Sequence, residues 1–103
     1  MAVIRKYLVD IYGGAPGDGV QARIDLIGDD GLAGTIRFFG EGCSLPEDTL
    51  EVGRGVQMHA SMNAFGGALA LLQHDRPVQI DLWKDRGRLF TSEPEPVGEG
   101  EAG

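Results

Sequence analysis

The chain reads as an α+β domain, an antiparallel sheet of five to six strands with one helix packed on one face. Three observations predict it: apolar residues alternating with polar ones in several short runs, aspartate and glycine between those runs, and one stretch at helical spacing. From Val3 to Tyr12 the apolar residues Val3, Tyr7, Val9 and Ile11 share one parity, with Lys6 and Asp10 opposite and Arg5 interrupting the stripe. That is a first strand. Gly13 to Gly19 holds four glycines and a proline, which supply unusual backbone angles and interrupt ladders, so it is a loop.

Val20, Ala22, Ile24 and Leu26 then alternate with Gln21, Arg23 and Asp25, and a second run passes through Ile36 and Phe38. Asp29, Asp30 and Gly31 stand between them, a hairpin signal because tight turns need positive φ. Gly40 to Gly53 is irregular and acidic, with Pro46 inside; a connection of that length is more often functional or mobile than a short turn is. Val56, Met58 and Ala60 alternate again, although a helix beginning early would fit residues 55–60 too. A strand is preferred, because Ser61 then falls at the N-cap of a helix running from about Ser61 to His74. Phe65, Leu69 and Leu72 form its packing stripe, and Arg76-Pro77 ends it, since a residue before proline avoids helical angles. Gly66 and Gly67 at its centre suggest that the helix backbone approaches the sheet closely. Val78, Ile80 and Leu82 alternate with Gln79, Asp81 and Trp83, and after Lys84 to Gly87 a last strand runs to Ser92.

The chain of 103 residues therefore forms one domain over residues 1–92. Residues 93–103, with Glu93, Glu95, Glu99 and Glu101 and no large apolar residue beyond Val97, are expected to be a flexible acidic tail. No signal-peptide pattern follows Met1 and the single Cys43 cannot form an internal disulfide, so a cytoplasmic location is expected and no membrane association. A formal charge of −7 opposes a phosphate backbone, which disfavours nucleic-acid binding despite aromatic and arginine residues on the sheet.

Cys43, His59 and an aspartate could supply a nucleophile, a base and an orienting acid, but Gly42-Cys43-Ser44 carries no local hydrolase signature, and a packed thiol is the plainer account. His59 and His74 have no second ligand at helical spacing, so no metal site is assigned. The glycine pairs 17/19, 40/42 and 53/55 lack the third glycine of a dinucleotide fingerprint and there is no phosphate loop; no cofactor is expected.

The face opposite the apolar stripes is the most informative. Parity gathers Tyr12, Arg23, Arg37, Phe39, Trp83, Arg88 and Phe90 there, among Asp25 and Asp81. Arginine–aspartate pairing across strands accounts for part of it, while aromatics with arginine are what protein interfaces enrich. A protein partner, or a second copy in a homodimer, is the expected ligand. Arg76 to Trp83 followed by a glycine hairpin and Thr91 to Glu99, together with Gly34 to Phe39 and Ser44 to Pro46, resembles a group of small uncharacterised bacterial proteins. That resemblance implies a bacterial origin and a stand-alone domain, and brings no activity or site.

Overall fold

In this computed structural model, which describes residues 2–14, 17–75 and 77–91, eight strands and one α-helix follow the predicted α+β pattern. The strands are β1 (Ala2–Val3), β2 (Lys6–Ile11), β3 (Val20–Gly28), β4 (Gly31–Phe39), β5 (Thr49–Glu51), β6 (Gly55–Ser61), β7 (Val78–Trp83) and β8 (Arg86–Thr91). A 3₁₀ turn over Met62–Ala64 leads into α1 (Phe65–His74). Residues 55–60 are strand, and the Ser61 hydroxyl accepts the Asn63 backbone N–H at the start of the 3₁₀ turn. The expected acidic tail, residues 93–103, lies outside the described residues, as does Ser92, the expected end of the domain.

The one antiparallel sheet expected from the sequence is instead two sheets. The larger has the order β2-β3-β4-β6-β5 and the smaller β1-β7-β8. All pairs are antiparallel except β4 and β6, which run parallel from Gly34 opposite Val56 to Phe39 opposite Ser61. A parallel pair needs a long crossover, and the irregular segment after β4 provides it. Gly40 to Asp48 carries the chain back along the sheet, and a hairpin then folds β5 against the start of β6.

The first predicted strand is divided where Arg5 interrupts its stripe. The Ile4 N–H donates to the Val78 carbonyl in the small sheet at 2.8 Å, and the Arg5 N–H donates to the Ile27 carbonyl in the large one at 2.7 Å. Arg5 thus marks the point at which the backbone passes from sheet to sheet. Its guanidinium donates two hydrogen bonds to Asp29 in the β3–β4 turn, at 2.9 and 3.2 Å.

Parity decides which side chains meet between the sheets. Ala22, Ile24, Leu26, Ile36, Phe38 and Val56 from the large sheet and Ile80 from the small one form one buried cluster. Each large aliphatic side chain fully buried there contributes about 1.5–3 kcal/mol. Close approach of the sheets depends on Gly34, where a Cβ would lie 2.8 Å from the Val56 carbonyl and 3.0 Å from Ile80 Cδ1. Above the same face, Phe65 meets Phe38 edge-on at 5.1 Å, joined by Ala68 and Leu72 of α1. Ala68 takes the place expected of Leu69, which stays partly exposed outside the cluster. Gly66 and Gly67 are exposed, with nothing within 4 Å of the position of an added Cβ, so they do not bring the helix close to the sheet. No residue of α1 is buried.

Candidate functional site

The side chains that parity gathers on one face lie on the two different sheets. Tyr12, Arg23, Arg37 and Phe39 belong to the outer side of the large sheet, and Trp83, Arg88 and Phe90 to the outer side of the small one. On the large sheet Arg23 stands directly opposite Arg37 and also opposite Asp10. Like charges across a strand pair are unfavourable unless each finds a partner. Arg23 donates to Asp10 at 2.9 Å and lies 3.5 Å from Asp25; the Asp25 charge foremost raises its pKa. Arg37 donates to the Gln57 side-chain carbonyl at 2.8 Å. Phe39 is buried, and Tyr12, Arg23 and Arg37 border a shallow cleft with Asp18 and Val20.

On the small sheet, strand register places Asp81 opposite Arg88, Gln79 opposite Phe90 and Trp83 opposite Arg86. Arg88 donates to both Asp81 oxygens, at 3.1 and 2.8 Å, and its guanidinium carbon stands 4.9 Å from the Trp83 ring and 4.1 Å from Phe90. Lys84 caps Trp83 at 4.5 Å. Hydrogen bonding to Arg88 holds the Asp81 carboxyl below its ordinary pKa. Aspartates thus compensate Arg23 and Arg88, whereas Arg37 is held by a neutral amide.

His59 and Cys43 have different neighbours. The Asp48 Oδ1 accepts the His59 backbone N–H at 2.7 Å and sits 3.1 Å from its Nδ1; the Asp48 Oδ2 accepts the Gly87 N–H at 2.6 Å. With side chains only 12% and 11% exposed, Asp48 and His59 form a nearly enclosed pair that ties the crossover to β6 and β8. Beside them Ser61, Asp85 and Arg86 line a cleft of about 450 Å³. Cys43 is an exposed free thiol whose sulfur lies over Gly19, where a Cβ would come within 3.0 Å of it. Among the described residues no group of three or more His, Cys, Asp or Glu is placed to hold a metal ion, and no helix is long and apolar enough to cross a membrane.

The large sheet ends at β2, and here burial departs from parity. Tyr7, Val9 and Ile11 stand opposite the buried Leu26, Ile24 and Ala22 on the inner face, yet Val9 is 37% exposed and Ile11 70%. Neither α1 nor the small sheet extends over them. Leu8, on the outer face opposite Asp25, is 60% exposed, and Tyr12 just beyond is 41% exposed. Among the described residues, a six-residue strand with an open edge thus shows apolar side chains on both faces, which natural edge strands ordinarily avoid.

Compared with family models, curated proteins and solved structures, this chain matches none. The residues themselves therefore carry the functional argument. Sequence reasoning missed two of its elements, Leu8 and Asp48. The run Tyr7-Leu8-Val9, three large side chains in succession, was the available signal that both faces of the first strand are apolar. A lone aspartate in an irregular loop gave none.

Proposed function

We propose that this chain is a non-enzymatic protein-binding or self-assembling module that uses the open edge of β2. The observation that carries it is the coincidence, among the described residues, of backbone groups without a strand partner and the exposed Leu8, Val9, Ile11 and Tyr12. Strand addition to such an edge takes affinity from main-chain hydrogen bonds and specificity from alternate side chains. Pairing of Arg23 and Arg88 with aspartates, in a chain of formal charge −7, supports this over nucleic-acid binding, because it takes up part of the positive charge that a phosphate backbone would need.

Hydrogen exchange of the labelled protein, read residue by residue, tests the proposal. The Tyr7, Val9 and Ile11 amides are expected to exchange freely in dilute solution and to gain protection in concentrated protein or in lysate of the native host. Equal exchange under all three conditions would remove the proposal.

A second reading, a small enzyme or ligand-binding protein, draws on the cleft beside Asp48 and His59. Asp48 fixes the His59 ring through Nδ1, the arrangement that orients an imidazole as a base. Binding of small-molecule fragments that shifts the His59 ring resonances, and is lost in His59→Gln, would favour it. Cys43→Ser asks separately whether the thiol contributes.

A further inference from the structure

Resting on that proposal, the edge can also be asked which partner it fits. In an antiparallel ladder every second residue directs its N–H and C=O to the same neighbour. The Tyr12 N–H donates to the Gln21 carbonyl at 2.9 Å, continuing the register in which Ile11 faces Ala22. Even-numbered residues of β2 therefore bond to β3, and Tyr7, Val9 and Ile11 direct their backbone groups outward. Any strand added antiparallel by symmetry must pair these odd residues with odd residues of its own.

We infer that the strand it receives is β2 of a second copy of this chain, antiparallel about a two-fold axis at Leu8. In that register Lys6 lies opposite Asp10 of the second copy, twice over, Tyr7 lies opposite Val9 with reciprocal backbone hydrogen bonds, and Leu8 lies opposite Leu8. The sequence of β2, Lys6-Tyr-Leu-Val-Asp-Ile11, is self-complementary in charge only there. Moving the axis to Val9 sets Leu8 against Asp10, and moving it to Tyr7 sets Lys6 against Leu8. Axes at Lys6 or Asp10 bring like charges together.

Asp10 accommodates the second partner. Its carboxylate already accepts Arg23 from β3 on one side and has acceptor capacity left for Lys6 of the other copy. The remaining sheet edges fit less well. β1 has two residues, β5 has three, and β8 carries Arg86 and Arg88 with no acid of its own to oppose them. A two-fold axis normal to the sheet makes the two large sheets continuous and keeps both inner faces on one side, so Val9 and Tyr7 of the two copies cover one another.

The register makes a reciprocal test. Lys6→Asp alone and Asp10→Lys alone each place like charges opposite one another in the homodimer, and each is expected to weaken self-association about tenfold or more. Mixing the two variants restores opposite charges at both pairs, and light scattering should show a heterodimer near wild-type affinity. An independent measurement guards against a misfolded Asp10→Lys. In a Cys43→Ser background, Leu8→Cys is expected to cross-link under glutathione disulfide, because facing residues of a non-hydrogen-bonded pair are about 4.5 Å apart at Cα, whereas Ile11→Cys is not. A mixture that associates no better than its components, or equal cross-linking at both positions, overturns the pairing. Protection of the β2 amides by lysate but not by concentrated protein overturns it too, while leaving a binding edge with a different partner.

Discussion

At the scale of single residues, Asp48 does the most with the least sequence signal. One carboxylate receives the His59 and Gly87 backbone N–H groups and the His59 ring, joining the crossover, the end of β6 and the start of β8. Removing an acceptor leaves a buried donor unpaired, which costs about 1–3 kcal/mol per group. Asp48→Ala orphans two backbone donors in a place where water enters poorly, so urea unfolding should show a loss of about 2–4 kcal/mol. Asp48→Asn keeps one acceptor oxygen and should lose about half as much. Amide shifts of His59 and Gly87 should move in both variants, whereas those of Asp29 and Gly31, at the far turn, should not. An unchanged urea midpoint for Asp48→Ala would mean that the crossover holds without this carboxylate.

Elements differ in how plainly the sequence announces them. The β7–β8 hairpin closes through Lys84 and Asp85, both with positive φ, at 52° and 65°. A two-residue turn of this hand favours glycine at its second position, because a Cβ there crowds the following carbonyl. Asp85→Gly should therefore raise stability by about 0.5–1 kcal/mol while keeping the Lys84 stack on Trp83. Asp85→Val should lower it by about 1–2 kcal/mol. Thermal melts check the opposite signs, and two shifts in the same direction would show that turn strain does not decide this hairpin. The presence of this hairpin, the inward stripes of β3, β4, β7 and β8, and the helix after Ser61 were legible, because each depends on neighbours a few residues apart; the tightness of the turn was not, since Lys84 to Gly87 read as the loop and Arg86 and Gly87 belong to β8. Parallel pairing of β4 with β6 was not, since nothing local distinguishes a strand that returns beside its predecessor in the same direction. The break at Arg5 left one trace, a charged residue in an apolar stripe. For the proposed binding edge, parity identified the faces of Lys6, Tyr7, Val9, Asp10 and Ile11 but passed over Leu8 and could not say what covers the strand: the exposure of Val9 and Ile11 follows from where the helix and second sheet end, a property of distant packing.

For the molecule as a whole, two ion pairs hold the sheets in relation to their turns and give stability a pH dependence of definite sign. Arg5–Asp29 fastens the passage between sheets to the β3–β4 turn, and Arg88–Asp81 fastens the two longer strands of the small sheet to each other. Hydrogen bonding to the arginine is the foremost cause in each case, and both carboxyls are held below their ordinary pKa. A carboxyl whose folded pKa is depressed contributes stability above its unfolded value, about 3.9 for aspartate, and loses it as pH falls through the folded value. Stability should thus decline with acidification below about pH 4. Asp29→Asn/Asp81→Asn should be less stable than the parent at pH 6, and the two curves should converge toward pH 2. Exposed pairs are screened by salt, so the gap at pH 6 should narrow on adding sodium chloride. Association through β2 would make apparent stability depend on protein concentration, so the comparison belongs at low concentration with Lys6→Asp in both backgrounds. A gap that stays constant from pH 6 to pH 2 would show that the parent's advantage does not depend on ionisation of the two carboxyls, and that charge at these positions contributes nothing to holding the sheets.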